Sequence, residues 1–317
     1  MDKLAVIFGG GGFIGRHLSK ALVQNNYKVI IADISEPPFL HLNEEFVFCD
    51  VRKEIFLNTS RTPEVVFNLA AVHRTPGHQD YEYFETNVFG AINITKWCDS
   101  VGAVNLVFCS SISVYGPSFE KKSELSTPEP ESSYGKSKYL AEQIHLNWAK
   151  SPNFERKITI ARPAAIFGPG EKGNFTRLSR AIQRRTFFYP ASPGIIKASG
   201  FVVDLCRALI FVSGRPDKEV IFNFSFPRSY SIGEISKAIA FTLGARTPLV
   251  FPLFKLLQGL PIDKIGFKNL RMRILKLVVP TIIEPKVLIE LGFKWNFDLS
   301  SAMESWKSMS ESDRYLA

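Results

Sequence analysis

The sequence predicts an α/β fold: a doubly wound parallel sheet with a smaller, discontinuous C-terminal part. Two patterns support this. Short, continuous apolar runs alternate with longer stretches of helical periodicity, as in a parallel sheet covered on both faces. A glycine-rich turn, Gly9-Gly10-Gly11-Gly12-Phe13-Ile14-Gly15, joins the first run to the first helix. The strands read as residues 4–8, 28–32, 46–49, 65–69, 105–109, 158–161 and 220–224, and the helices as 16–24, 81–100, 132–150 and 202–212. The composition changes after Gly170. A helix to about residue 185 is followed by a proline- and aromatic-rich stretch, 187–194, and Ser231-Ile232-Gly233-Glu234 has the spacing of a capping box. The expected division is residues 1–170, rejoined by about 201–225, against 171–200 and 226–317.

Composition narrows the function classes. A 317-residue chain that is 45% hydrophobic is a globular protein, not a disordered one. No run reaches the roughly 18 apolar residues that would span a bilayer. The N-terminus enters a strand at once, unlike a signal peptide, so a cytoplasmic protein is expected. Cys49, Cys98, Cys109 and Cys206 show no metal-binding spacing and read as reduced core residues, with no metal site. The formal net charge of +9 suits an anionic small-molecule substrate. No nucleic-acid-binding signature accompanies it, so nucleic acid is not an expected partner. Residues 246–276 carry Arg246, Lys255, Lys264, Lys268, Arg271, Arg273 and Lys276 against Asp263 in an amphipathic pattern. They read as solvated helix faces, with a weak membrane-surface contact as the minority reading.

The glycine spacing is G-x-x-G-x-x-G. It lets the backbone turn tightly and approach a pyrophosphate, while the helix after it presents N–H donors and a positive dipole end. The second strand ends in Asp33, whose carboxylate suits the two ribose hydroxyls of adenosine and repels a 2′-phosphate, favouring NAD. Tyr134 and Lys138 lie one helical turn apart on one face. An ammonium beside a phenol favours the phenolate, and moving a tyrosine from about 10 to about 7 takes roughly 4 kcal/mol. Such a pair suits general acid–base work on a hydroxyl. Gly9, Asp33, Ala71, Ser111 and Arg162 all fall at or just past strand ends, where ligands of open α/β sheets bind.

Seven motifs in order carry a resemblance to the extended short-chain dehydrogenase/reductase family. They are residues 8–15, Asp50-Val51, Asn68-Leu69-Ala70-Ala71, Asn87-Val88-Phe89-Gly90, Ser110-Ser111-Ile112-Ser113-Val114-Tyr115-Gly116, Tyr134-Gly135-Lys136-Ser137-Lys138, and Arg162-Pro163 through Gly168-Pro169-Gly170. The family includes NAD-dependent nucleotide-sugar epimerases and dehydratases such as the UDP-glucose/galactose 4-epimerases, and the resemblance covers residues 1 to about 215 well. It implies a Rossmann-type fold and a catalytic trio of Ser111, Tyr134 and Lys138. It implies cofactor contacts from Gly9, Gly12, Phe13, Ile14, Gly15, Asp33, Asp50, Val51, Leu69, Ala70, Ala71, Asn87, Tyr134, Lys138 and Pro163. Substrate contacts are expected from Ser111, Ser113, His73, Asn174 and Lys197. In the implied mechanism the Tyr134 phenolate, its pKa lowered by Lys138, takes the proton of a sugar hydroxyl. His78, Tyr115 and Phe167 read as non-catalytic, the last two as packing or pocket walls.

Departures from the family pattern narrow the activity. Phe8 stands in place of a threonine and Asn68 in place of a histidine. Ile112 and Ser113 replace the acidic pair of the 4,6-dehydratases, which argues against elimination of water. Ala164-Ala165 replace a phenylalanine-asparagine pair of the UDP-galactose 4-epimerases, and Lys197 is the cation nearest to a usual arginine. The expected function is C4 epimerisation of a UDP-sugar through a transient 4-keto intermediate. The alternatives are an NAD(P)H-dependent 4-keto-6-deoxy nucleotide-sugar reductase of polysaccharide biosynthesis and a catalytically silent NAD-binding sensor. The family also implies a homodimer through the helices at 81–100 and 132–150, with Trp97 and Trp148 as candidate contacts or, equally, core residues.

Overall fold

A computed structural model of the chain describes residues 3–73, 77–151, 155–189, 192–249 and 279–312. Seven parallel strands form its main sheet: β1 (Lys3–Phe8), β2 (Tyr27–Asp33), β3 (Glu44–Phe48), β4 (Val65–Asn68), β5 (Asn105–Cys109), β6 (Lys157–Pro163) and β9 (Glu219–Phe224). Their order across the sheet is β3-β2-β1-β4-β5-β6-β9. It reverses between β1 and β4, which opens a crevice beyond the carboxyl ends of these strands. A short parallel pair, β7 (Ala165–Phe167) and β8 (Ser199–Phe201), lies beyond β6 in the chain.

Apolar runs, rather than alternating ones, form the central strands because both sheet faces are covered. Along β1, Ala5 and Ile7 join the cluster that includes Leu18 and Leu22 of α1 (Phe13–Gln24) and Leu205 and Leu209 of α6 (Val202–Ser213). Leu4, Val6 and Phe8 point the other way, into a cluster with Ile94 and Trp97 of α3 (Gly90–Val101) and Leu146 and Trp148 of α4 (Ser133–Ala149). The remaining helices are α2 (Asp80–Phe84), α5 (Asn174–Gln183), α7 (Ile232–Thr242), α8 (Lys286–Glu290) and α9 (Leu299–Ser312). The capping box forms at α7: Ser231 Oγ accepts from Glu234 N at 3.2 Å, and Glu234 Oε2 accepts from Ser231 N at 2.8 Å. The basic stretch 246–276 lies outside the described residues from 250 onward. Among the described residues no helix is long and apolar enough to cross a membrane.

Three details depart from the sequence reading. The third strand begins earlier, at Glu44, and is a half-exposed sheet edge. The helix expected over 81–100 is interrupted: α2 passes through a π turn, Glu85–Phe89, into α3. Such widened turns accommodate a side chain that must bond elsewhere, and Asn87 within this one does so. The tryptophans are core residues, not outward contacts. Trp97 is buried edge-on against Phe8, at 5.1 Å between ring centroids, and its indole donates to Leu57 O at 2.8 Å. The Trp148 indole donates to Asp99 Oδ1 at 2.7 Å, tying α4 to α3, and Arg156 lies over its ring.

The exposed large apolar side chains of these helices are Tyr81, Phe89 and Leu140 instead. A C₂ pairing through them is the expected association. Sedimentation should then show a dimer that Leu140→Glu converts to a monomer that still melts cooperatively, at a temperature no higher than the dimer's. Trp97→Ala should instead cost about 3–5 kcal/mol of stability in a denaturant titration, the usual range for emptying a large core site.

Candidate active site

The glycine turn is built by close packing. Gly9 has φ +79°, and a Cβ there would meet the backbone N of Ala70 at 2.5 Å. A side chain would therefore force β1 away from the strand-end segment 69–71. Gly12 caps α1 with no side-chain hydrogen bond, and the first turn holds no acid. The amides of Phe13, Ile14 and Gly15 thus open the helix with an uncompensated positive end suited to a diphosphate. Asp33 closes the turn from β2: Oδ2 accepts from Gly11 N at 3.0 Å and Oδ1 from Ser35 N at 3.0 Å. Burial raises its pKa above the ordinary carboxylate value, against the pull of these amides. The departure at Phe8 has a simple outcome, since its side chain points away from the turn and packs on Trp97.

Asp50 is held in a fork by Arg52, at 2.9 Å to Nε and 2.8 Å to NH2, which lowers its pKa. Val51 is buried, and its carbonyl accepts from Asn93 Nδ2 at 2.9 Å. Leu69 continues the β4 ladder, donating to Phe8 O at 2.8 Å, and Pro163 is buried at the end of β6. Asn87 uses its polar atoms on protein partners. Its Oδ1 accepts from Val72 N at 3.0 Å, and its Nδ2 donates to Val72 O at 3.2 Å and to Ser137 Oγ at 2.8 Å. It ties the segment after β4 to α4.

The three residues expected to be catalytic, Ser111, Tyr134 and Lys138, come together where β5 meets α4. Ser111 precedes a 3₁₀ turn, Ile112–Tyr115, and its Oγ accepts from Ser113 N and donates to Ser113 Oγ, both at 3.1 Å. Ser132 Oγ caps α4 by accepting from Gly135 N at 3.0 Å. A Cβ on Gly135 would meet Ser113 O at 2.5 Å, so the glycine lets the Tyr134 turn sit directly on the Ser111 turn. Tyr134 is half-buried, and the Ser111 hydroxyl acts on its phenol. Burial pushes the phenol pKa up, and Ser111 is the group that opposes this. The end of Lys138 is bonded to the strand beneath it. Its ammonium is buried, donates to Cys109 O at 2.8 Å and lies 4.7 Å from the centre of the Phe108 ring. Burial lowers its pKa to about 8.

The expected substrate residues are more dispersed. Ser113 belongs to the Ser111 turn, and His73 is exposed on the segment after β4. Asn174 opens α5, where its Oδ1 accepts from Arg177 NH2 at 3.0 Å. Lys197 donates to Val279 O at 2.6 Å, and burial lowers its pKa to about 8. His78 pairs with Glu82 at 3.4 Å. Phe167 is a core residue stacked on Phe175 at 4.4 Å.

Two buried polar groupings escaped the sequence reading. Asn68 Nδ2 lies 3.2 Å from His145 Nε2, while His145 Nδ1 lies 2.6 Å from Ala141 O and the imidazole stacks on Phe108. Burial lowers the His145 pKa to about 4, so the ring is neutral, with Nδ1 donating and Nε2 accepting. The residue replacing the family's strand-end histidine is thus paired with a histidine on α4. The second grouping is a fork between Glu142 and Arg162, extended by Tyr115 and Asn223. Tyr115 is therefore a bonded member of a network and not merely a wall. Only the i, i+4, i+8 spacing of Tyr134, Lys138 and Glu142 signalled it in the sequence.

A buried lysine without a carboxylate of its own costs stability. Its folded pKa of about 8 lies below the ordinary 10.5, so the unfolded chain binds the extra proton between those values. Stability therefore rises with pH across that window, and the cost is complete below it. Lys138→Met should accordingly raise stability at pH 7, by up to about 3 kcal/mol, while abolishing turnover. Denaturant titrations of both proteins at pH 7 and pH 10 should show the gain shrinking at the higher pH.

The NAD dependent epimerase/dehydratase family model matches residues 5–233. An Escherichia coli O157:H7 N-acetyl-alpha-D-glucosaminyl-diphospho-ditrans,octacis-undecaprenol 4-epimerase is 30% identical over 205 residues, 64% of this chain and 60% of that protein. A Vibrio cholerae UDP-glucose 4-epimerase is 27% identical over 225 residues, 68% of this chain and 65% of that protein. The match thus spans less than two thirds of either relative's length. In three dimensions, the UDP-N-acetylglucosamine 4-epimerase of Methanobrevibacter ruminantium, solved with UDP-N-acetylmuramic acid, superposes with a TM-score of 0.78 at 18% identity. The superposition covers 98% of this chain and 99% of that one, showing a shared fold. With the family model spanning most of the chain and the glycine turn and Ser–Tyr–Lys trio in place, the chain belongs to the NAD-dependent epimerase/dehydratase family.

Proposed function

We propose that this chain is an NAD-dependent epimerase that inverts C4 of a diphosphate-linked sugar, with a UDP-sugar as the leading substrate. The observation that carries this reading is the packing of the Tyr134 turn directly on the Ser111 turn, Gly135 against Ser113 O, with the buried Lys138 ammonium on Cys109 O at the carboxyl end of β5. NAD supplies the hydride acceptor and donor when bound. The residues fit it: the α1 amides at Gly12–Gly15 for its diphosphate, Asp33 for the adenosine ribose, and Asp50 and Val51 beside the adenine. Leu69, Ala70, Ala71 and Pro163 would flank the nicotinamide end, where Tyr134 and Lys138 lie.

The reacting hydroxyl would lie against Tyr134 and Ser111. Tyr134 accepts the O4 proton as the sugar is oxidised to its 4-keto form and gives it back after the sugar presents its other face. The raised phenol pKa favours the proton-delivering state, and Ser111, which opposes that rise, favours the accepting one. The cycle returns every proton and electron it removes, so it needs no outside reductant. Lys197 and Asn174 are the proposed contacts for the substrate's diphosphate, and His73 and Ser113 for its sugar.

A second reading, reduction of a 4-keto-6-deoxy sugar nucleotide, is favoured by one observation. Ala164-Ala165 leave out the phenylalanine-asparagine pair of the galactose epimerases. Incubation with UDP-, GDP- and dTDP-sugars and with polyprenyl-diphosphate sugars separates the readings. The lipid-linked arm is included because the E. coli relative is named for such a substrate. Epimerisation with only catalytic NAD is expected. Stoichiometric NAD(P)H oxidation on a 4-keto sugar, with no epimerisation across the panel, would establish the reductase instead.

Three variants test the assigned roles. Tyr134→Phe should keep NAD affinity and lower turnover about 10²-fold or more, the scale of a positioned acid–base group. Ser111→Ala should lower it less. Titration should show tighter binding of NAD(H) than NADP(H), and Asp33→Ser should narrow the gap; equal affinities in the parent protein would count against Asp33 as the ribose acceptor.

A further inference from the structure

We propose that Arg162 is a positioning residue, holding the Ser111 turn and the Tyr134 helix in one fixed relation through Tyr115 and Glu142. The proposal rests on the reading of Ser111 and Tyr134 as the catalytic pair. These two residues lie on separate pieces of chain. The segment between them, 116–132, forms no helix or strand beyond an isolated bridge at Lys122. Connectivity alone does not fix their spacing, and a displacement of about 1 Å at reacting groups is enough to lower a rate substantially.

One guanidinium reaches both pieces. On the α4 side, Arg162 Nε donates to Glu142 Oε1 at 2.9 Å and NH2 to Glu142 Oε2 at 2.6 Å. Glu142 lies two turns beyond Tyr134 on the same helix face, with Lys138 between them. On the other side, Arg162 NH1 donates to the Tyr115 hydroxyl at 3.0 Å, with the guanidinium 5.1 Å from the ring centre. Tyr115 closes the 3₁₀ turn that Ser111 opens. Its hydroxyl in turn donates to Asn223 Oδ1 at 2.8 Å, so the oxygen is held from two directions. Asn223 is itself fixed, by Glu124 Oε1 at 2.9 Å and Glu284 O at 3.1 Å. Glu142, Arg162, Tyr115 and Asn223 are all buried, and none of their polar atoms in this chain of bonds is left without a partner. A planar, bidentate fork with a third donor turned to a second partner is a geometry that lysine cannot reproduce.

The test uses Tyr115→Phe, which removes one hydroxyl and keeps the ring. It should lower kcat about tenfold while the substrate KM and the NAD affinity stay within about twofold and the protein still melts cooperatively. In that background Ser111→Ala should cost at least about threefold less than in the parent, because the serine is already misplaced. An unchanged kcat, a loss expressed in KM, or multiplicative effects of the two substitutions would overturn the proposal. A readout without turnover separates it from the failure of the epimerase reading. The Cζ carbon resonance of Tyr134, assigned by its loss in Tyr134→Phe, should move in Tyr115→Phe in the direction it moves in Ser111→Ala. A Tyr134 resonance that Ser111→Ala shifts and Tyr115→Phe leaves in place would overturn the proposal even if no sugar is turned over.

Discussion

The parallel register of the sheet is the constraint on which the site depends. Ala32, Phe8, Asn68, Phe108, Ile160 and Ile221 pair in one continuous row across β2, β1, β4, β5, β6 and β9. Because every strand runs the same way, the residues just past that row emerge on one edge: Asp33, Gly9, Leu69, Cys109 with Ser111, and Arg162. No loop has to be long to bring them together. The same geometry buries both faces of the central strands, which is why these are largely apolar and why the chemistry is confined to the strand ends.

Around that edge the protein tolerates buried polar groups that a purely stabilising design would omit. Lys138 sits under α4 with a backbone carbonyl and an aromatic ring for company. His145 is kept neutral, and the Glu142–Arg162 pair is almost wholly enclosed. Burial works against the Arg162 cation, and Glu142 more than offsets it, leaving the arginine pKa raised. A buried pair of this kind rarely adds net stability, but removing one partner commonly costs about 3–5 kcal/mol. The arrangement is better understood as fixing geometry than as strengthening the fold.

Local chemistry was legible in the sequence, and long-range bonding was not. The glycine turn, Asp33, Ser111 and the Tyr134–Lys138 spacing each come from a short pattern with a physical reason, and all of them reach the same crevice. The break in the helix over 81–100 left no trace, because apolar periodicity continues across it, and the bonds that Asn87 makes within it, to Val72 and Ser137, are not local in sequence. Trp97 and Trp148 could be read as surface or core from spacing alone; partners at Leu57 and Asp99 decide it. Tyr115, Glu142 and Asn223 were obscure for the same reason, since each is given meaning by Arg162, far away in the chain. For Lys138, residue spacing fixes the face its side chain leaves from, while the carbonyl that its ammonium bonds, Cys109 O, is set by the fold.

The central claim is that the hydrogen removed from C4 stays in the site and returns to the same carbon. The most direct measurement tracks a substrate carrying deuterium at C4, incubated with the purified protein and analysed by mass spectrometry and NMR. The account predicts that the epimerised product keeps its deuterium at C4 in ordinary water. Loss of the label to solvent, or its accumulation in free reduced nicotinamide with no epimer formed, would contradict it.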